Sequence, residues 1–220
     1  MSALLTAISV PEAFAQGMNT RPAPHPRKQA TGSISGHEWV DLGLPSGLKW
    51  AACSVGATSP EGCGDYFAWG ETRTKGSYDC ENSLTYGKSV SDLQSEGIIS
   101  GSGVLNVSYD AARSNWGSTW RMPTDMDFGE LIEKCDWTWT TRGGENGYKV
   151  TGPNGNSIFL PAAGGRGGSS LNCAGEFGFY WSSSVNDDTD CAFYLFSDSG
   201  DRIVDWSYRC RGFSVRPVSE

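Results

Sequence analysis

The sequence predicts an α+β protein built from short antiparallel strands, two helices and long loops. Glycine is abundant, with 29 residues, and the chain carries 9 Trp, 8 Tyr and 9 Phe. Apolar segments are mostly short and end at turns that contain Gly or Pro, which is typical of short strands. Helical periodicity is confined to two places. The length of 220 residues suits one domain with an appendage.

The first fifteen residues resemble part of a secretory signal segment. Residues 3–10 form a short apolar stretch, and Ala13-Phe14-Ala15 before Gln16 fits the small-residue pattern of a cleavage site. No basic residues precede the apolar stretch, so a truncated signal and a frayed N-terminus are the two interpretations. A truncated signal segment predicts a protein that is secreted or held at a cell surface.

Residues 16–36 are predicted to form a flexible linker. Prolines alternate with other residues at positions 22, 24 and 26, which favours an extended chain. The ligand-binding domain is then expected to span residues 37–220. Its first strands are predicted between Trp39 and Val55, residues 65–70 form a further strand or buried loop, and residues 71–108 form long polar loops.

Two helices are expected next. A short helix is predicted over residues 109–116, with Asp110 near its start. The second begins after Thr124 and Asp127, which form a capping-box pattern. It places four residues on one face, and Cys135 is therefore interpreted as a small core residue in preference to a nucleophile. The four are Phe128, Leu131, Ile132 and Cys135.

Three short strands are predicted after the second helix. Apolar and polar residues alternate around Trp137 and Trp139 and again around Tyr148 and Val150, and Ile158 and Leu160 form the third strand. Glycine-rich turns at residues 143–147 and 152–156 separate them, as in antiparallel hairpins.

Composition and motifs restrict the chemistry. The net charge of −8 argues against a nucleic-acid partner, because phosphate binding requires clustered Lys and Arg. No apolar run approaches the length of about 20 residues that spans a bilayer, so no transmembrane segment is expected. Phosphate loops, nucleophile elbows and zinc-protease motifs are absent from the sequence, which predicts no catalytic residues and no cofactor.

Metal binding is also not expected. The seven cysteines are scattered, with no pair at the spacing of a zinc site. Acidic residues at 186–190 and 198–201 carry oxygens that suit Ca²⁺, but they lack the spacing of an EF-hand. They are interpreted as solvated loops. Pairing of the cysteines stays open, with buried or unpaired thiols as the alternative to any particular disulfide.

The segment from Phe179 to Val218 mixes aromatic, acidic and small polar residues without a clean pattern. Ala192, Tyr194 and Phe196 are placed on one face of a strand, and Cys191, Phe193 and Leu195 on the other. We expect one face in the core and the other on a surface whose aromatic and short polar residues suit ligand binding. A strand that is buried on both faces is the alternative.

Several ordered motifs lie between about residue 37 and residue 218. They are residues 38–51, which begin Glu38-Trp39-Val40-Asp41-Leu42, and residues 64–72, 120–124, 152–164, 180–183 and 214–218. Together they resemble a known family, the Fibrobacter succinogenes major paralogous domain of Bacteroidetes and Fibrobacter.

The resemblance implies a C-type-lectin-like fold related to formylglycine-generating enzymes, and a non-catalytic receptor or adhesin. Many such proteins resemble the variable proteins of diversity-generating retroelements, in which adenine-directed mutagenesis rewrites codons near the 3′ end of the gene. It thus implies a variable ligand, taken to be a protein, and a location at a cell surface, outside the cell, or on a phage virion.

In such proteins, fixed scaffold residues alternate with diversified residues that contact the ligand. By this pattern Ala192, Leu195, Ser199, Arg209, Gly212 and residues 214–217 are scaffold. Ser197 departs from it, since an aromatic residue is expected there, which leaves the register between 197 and 205 open. The implied ligand-binding residues are Asp190, Cys191, Phe193, Tyr194, Phe196, Asp198, Gly200, Asp201, Asp205, Trp206, Ser207, Tyr208, Cys210, Arg211 and Phe213.

Two other functions stay open. Residues 166–173 faintly resemble the Arg-Gly-Gly-Ser segment that precedes the active cysteines of the formylglycine-generating oxidases, but Gly178 stands where the second cysteine is expected. A carbohydrate-binding lectin is the third possibility, although the calcium motifs of sugar-binding lectins are absent.

Overall fold

The computed structural model describes residues 31–188 and 190–220. The predicted signal segment and the predicted linker up to residue 30 lie outside the described residues. The fold is mixed, with small antiparallel sheets and few helices, consistent with the α+β class. The helices are α1 (Val90–Ser95), α2 (Ala111–Trp116) and α3 (Asp125–Lys134), with a 3₁₀ turn at Cys80–Asn82. The strands are β1 (Thr31–Ile34), β2 (His37–Asp41), β3 (Lys49–Ala51), β4 (Asp136–Arg142), β5 (Glu145–Thr151), β6 (Ser157–Pro161), β7 (Gly165–Gly167), β8 (Ser170–Asn172), β9 (Gly178–Val185), β10 (Cys191–Ser197), β11 (Arg202–Tyr208) and β12 (Val218–Ser219).

The first sheet joins the two ends of the described chain. Its strand order is β1-β2-β3-β12, so the C-terminal strand pairs with β3. Strand β1 forms a hairpin with β2, and Ser35 and Gly36 turn between them with φ angles of 50° and 82°. Residues 31–34 were expected in the linker. The folded part therefore begins before residue 37, because an isolated four-residue strand carries too little pattern to predict.

The sheet β4-β5-β6 follows the predicted hairpins. Trp137 pairs with Val150, and Tyr148 pairs with Leu160, in regular antiparallel registers. The rings of Trp137 and Trp139 lie edge-on to Tyr148, with centroids 5.2 and 5.1 Å apart. The three predicted strands are confirmed, and Ile158, Phe159 and Leu160 of β6 are all buried.

Both predicted helices are present. The Thr124 side chain accepts from the backbone N–H of Asp127, and the Asp127 carboxylate accepts from that of Thr124, completing the capping box of α3. Phe128 and Leu131 are buried, and Cys135 directly after the helix is 8% exposed, so its core position is confirmed. Asp110 caps α2.

Helix α1 was not predicted, because it lies in the segment expected to be loop. It has six residues and buries one of them, Leu93, which leaves no periodicity to detect. Its capping box between Ser89 and Asp92 is the local signal that marks its start.

No helix in the described part of the chain is long and apolar enough to cross a membrane.

The sheet β11-β10-β9 lies between two apolar clusters. On one side Tyr194 packs with Trp181 and Phe213, and on the other Leu195 packs with Tyr180. Helix α3 contacts all three strands. Strand β10 is thus buried on both faces. The expectation of one core face and one displayed face is wrong for β10, because an apolar cluster packs on each side of the sheet and leaves only Phe193 and Phe196 partly exposed.

Candidate functional site

The hairpin β10–β11 carries most of the predicted ligand-binding residues. Its pairing runs without interruption from Cys191 opposite Tyr208 to Ser197 opposite Arg202. The turn between them is closed by the carboxylate of Asp198, which accepts from the backbone N–H groups of Gly200 and Asp201 at 2.7 and 2.8 Å. The strand pairing on either side of this turn is that of a regular hairpin, and Ser197 is buried at the end of β10.

Strand β11 places large side chains at the surface. Trp206 is 54% exposed, and Tyr208 is 46% exposed. The ring of Tyr208 lies edge-on to that of Tyr86, with centroids 5.9 Å apart, so Tyr208 packs against the loop that carries Tyr86. Exposed aromatic rings of this size are the residues that contribute most to protein–protein contacts.

Most of the predicted ligand-binding residues are reachable from solvent. Those that are exposed or partly exposed are Asp190, Phe193, Phe196, Asp198, Gly200, Asp201, Asp205, Trp206, Ser207, Tyr208 and Arg211.

Four predicted residues are not displayed. Cys191 is 1% exposed, and Tyr194 and Phe213 are buried in the apolar cluster that contains Trp181. Cys210 is buried and forms a disulfide with Cys80, with Cα atoms 4.9 Å apart. These assignments as display positions are corrected, because their side chains point into the core or into a covalent crosslink.

The predicted scaffold residues are mostly buried, and Arg209 shows what they do. Its guanidinium is fully buried and stacks over Trp69 with 5.3 Å to the ring centroid. It donates to the backbone carbonyls of Cys191 and Lys88 at 2.7 and 2.8 Å, and to that of Asp188 at 3.0 Å. Arg209 therefore ties the hairpin to two neighbouring loops. Ser199, also expected to be scaffold, is exposed in the turn.

The outer strand β11 is partly protected against pairing with another strand. It pairs with β10 and with no second strand among the described residues. The carboxylates of Asp201 and Asp205 accept from the backbone N–H groups of Arg202 and Trp206, at 2.7 and 2.8 Å. These bonds occupy donors that an added strand would need, so β11 offers its side chains more readily than its backbone.

A titratable pair lies at the centre of the hairpin. Tyr194 is opposite Asp205, and burial together with the charge of Asp205 raises the pKa of Tyr194 to about 12. The buried Cys191 has its pKa raised to about 11, mainly by burial, so its thiol stays protonated at neutral pH.

A cavity of about 230 Å³ opens beside the hairpin. Strand β7 and the residues after β8 form one wall, and Phe179, Ser207, Arg211 and Phe213 complete it. The rings of Phe179 and Phe213 are stacked 4.9 Å apart. The cavity thus combines an aromatic surface with two cationic side chains, Arg166 and Arg211.

Cys173, the cysteine of the oxidase-like segment, lines the same cavity. Its thiol is free and exposed, and the residue has a φ of 57°. Gly178, where the resemblance to the oxidases requires a second cysteine, begins β9. Within residues 31–188 and 190–220, no three His, Cys, Asp or Glu side chains are grouped as they would be around a metal ion.

Sequence reasoning missed two exposed apolar side chains near the site. Ile203 is 42% exposed on β11, and Leu171 is 43% exposed on β8. An isolated aliphatic residue in a short strand reads as core, so no local signal distinguishes it.

Comparison with protein-family models, with curated proteins and with solved structures found no match for this chain. The fold and the site themselves define a mixed domain that presents a rigid hairpin and an adjoining cavity.

Proposed function

We propose that this protein is a non-catalytic ligand-binding protein of the receptor or adhesin type, on a C-type-lectin-like scaffold. Its ligand is a protein that contacts the exposed side chains of β11 and the residues around it. The resemblance of residues 37–218 to the major paralogous domain supports the scaffold and the link to diversity-generating retroelements.

One observation carries the proposal: exposed residues and buried, hydrogen-bonded residues lie side by side in a single short segment. Trp206 and Tyr208 are exposed, while the next residue, Arg209, is fully buried and bonded to three neighbouring carbonyls. Such a hairpin keeps its backbone when its exposed side chains change. A binding surface whose sequence varies between copies requires that the residues holding the backbone differ from those contacting the ligand. The backbone then stays ordered when the surface changes, and an ordered scaffold lowers the entropic cost of binding.

The surface composition favours a protein ligand. Exposed aromatic residues, together with Asp198, Asp201 and Ser207, form a mixture of rigid rings and short polar groups. The disulfide between Cys80 and Cys210 fits an extracytoplasmic location, since such bonds persist in oxidising compartments.

The neighbouring DNA tests the diversification. We expect a near-copy of the codons for residues 180–218 downstream of the gene, differing at adenines and accompanied by a reverse transcriptase gene. The changed codons should fall on exposed positions such as Trp206 and Tyr208 and spare Arg209. Substitutions spread evenly over buried and exposed positions would contradict the proposal.

An activity assay tests the non-catalytic part. Incubation with Cu²⁺ and a cysteine-containing sulfatase peptide should leave the peptide mass unchanged, because Cys173 has no partner cysteine at position 178. Conversion of the peptide cysteine to formylglycine, lost in Cys173→Ser, would instead support the oxidase.

A further inference from the structure

The cavity beside the hairpin has one wall made of backbone. A Cβ atom on Gly165 would lie 2.8 Å from the Phe213 ring and 3.2 Å from that of Phe179. A Cβ atom on Gly167 would lie 2.3 Å from the Nη1 atom of Arg211. Glycine at both positions therefore lets the two rings and the guanidinium pack directly against β7, which fixes the shape of the cavity.

The charged side chains around this cavity are both cationic. Arg166 and Arg211 line it together with Asn172 and Ser207, and no Asp or Glu does. The guanidinium of Arg166 lies over the ring of Tyr66, with 5.1 Å to the centroid, whereas Arg211 lies against β7. The ion pairs of the described residues do not include Arg211, whose side chain lies against Gly167.

The nearest acidic residue on the same face of β11 is engaged elsewhere. Asp205 lies two residues before Ser207, and its carboxylate accepts from the backbone N–H of Trp206 at 2.8 Å. It also faces the hydroxyl of Tyr194. The positive charge of Arg211 is therefore available to a negatively charged group of a ligand.

We propose that this cavity binds an acidic side chain of the partner together with an adjacent aromatic or apolar group. The carboxylate pairs with the guanidinium of Arg211 and accepts from Asn172 and Ser207, since a planar guanidinium suits a carboxylate. The apolar group packs on Phe179 and Phe213. The assignment to a protein partner rests on the proposed function, whereas the preference for an aromatic carboxylate does not.

Cys173 provides a reporter for the test, because its free thiol lines the cavity. Two benzyl methanethiosulfonates are used, one with a para-carboxylate and one with a para-carboxamide. The thiolate of Cys173 attacks the sulfur that carries the benzyl group, a mixed disulfide forms and methanesulfinate leaves. The labelling rate at Cys173 is measured by mass spectrometry, and Cys173→Ser identifies labelling at other thiols.

We expect the carboxylate reagent to label Cys173 roughly two- to fivefold faster, relative to the carboxamide, than it labels a small free thiol. Arg211→Gln should remove this preference. Arg73→Gln is the matched control, because it makes the same charge change at an exposed site away from the cavity. Ser207→Asp, which adds a carboxylate at the cavity, should reverse the preference.

An equal preference in the wild-type protein and in Arg211→Gln would overturn the proposal. So would the failure of both reagents to label Cys173 in the folded protein, since the cavity would then not admit an aromatic group. The outcome does not depend on the partner. A confirmed carboxylate preference in a protein that proves to be an oxidase would leave this inference standing and remove the proposed function.

Discussion

Arg209 is the residue on which the hairpin depends most directly. Its guanidinium is buried, and it donates to backbone carbonyls from the hairpin and from two loops. Burial lowers the pKa of Arg209, although arginine stays charged at neutral pH. The side chain therefore acts as a fixed crosslink between segments that are distant in sequence.

Replacing Arg209 by methionine should destabilise the fold by about 3 kcal/mol or more, because several buried carbonyls lose their donors. Chemical denaturation monitored by tryptophan fluorescence measures the loss. Arg73→Met, at an exposed position, serves as the control and should change the free energy of unfolding by less than about 0.5 kcal/mol. Similar stabilities for the two variants would contradict the role given to Arg209.

The raised pKa of Tyr194 predicts that alkaline pH destabilises the fold. Its folded pKa of about 12 lies above the ordinary tyrosine value of 10.0, so its contribution to stability is fully present below pH 10. That contribution is lost as the pH rises through 12. Between pH 8 and pH 11, the wild-type protein should lose about 1 kcal/mol more than Tyr194→Phe does.

Asp205→Asn tests the cause of that shift. Removing the carboxylate should lower the pKa of Tyr194 and reduce the loss of stability between pH 8 and pH 11. Unfolding curves at the two pH values measure it. An unchanged loss would assign the shift to burial alone.

At the scale of elements, helix α3 supports the hairpin from behind. It contacts β9, β10 and β11, and its first turn is held by the capping box of Thr124 and Asp127. Asp127 also forms an ion pair with Arg121 at 2.7 Å. The hairpin is thus packed on a capped helix through the face that carries Leu195 and Val204.

Thr124→Ala should destabilise the protein by about 1 kcal/mol, because the backbone N–H of Asp127 loses its side-chain acceptor. Thr124→Ser retains the oxygen and is the matched control. Denaturant midpoints compare the two. Equal losses in both variants would show that the methyl group of Thr124, and not the cap, is what matters.

The elements also show where local pattern was sufficient. Helix α3 and strands β4 and β5 were predicted because each repeats its apolar positions at the period of its structure. Helix α1 and strand β1 were not, since six and four residues are too few to show a period.

At the scale of the whole molecule, the N-terminal hairpin closes the fold. Ile34 packs against the main apolar cluster, and its carbonyl accepts from the Trp120 indole N–H at 3.0 Å. The indole of Trp39 lies over Gly32, where a Cβ atom would come within 2.4 Å of the ring. Residues 31–36 thus belong to the domain.

A chain that begins at residue 37 should be less stable than one that begins at residue 31, by about 2 kcal/mol, because it exposes Trp39 and the cluster beneath Ile34. Thermal unfolding of the two chains measures the difference. Ile34→Ser in the longer chain should give part of the loss. Identical melting temperatures for both chain lengths would show that residues 31–36 do not stabilise the domain and belong to the linker.

The candidate site was predictable in part. The segment was found from its composition, and its alternation of scaffold and display was expected from the resemblance. The exposure of the individual residues was not predictable. Tyr194 and Phe213 are aromatic like Trp206 and Tyr208, but the first two are buried and the last two are exposed. Residue type alone does not distinguish an aromatic side chain in the core from one on an edge strand.

The sequence by itself determined the mixed class of the fold, the capped helix α3, the three-stranded meander and the segment that carries the site. Those features depend on residues close together in the chain. The tertiary structure decided that β10 is covered on both faces, that Cys210 bonds to Cys80, and that β7 meets Phe179, Arg211 and Phe213 to form a cavity. These depend on contacts between distant segments, and a side chain's exposure is a property of what packs against it.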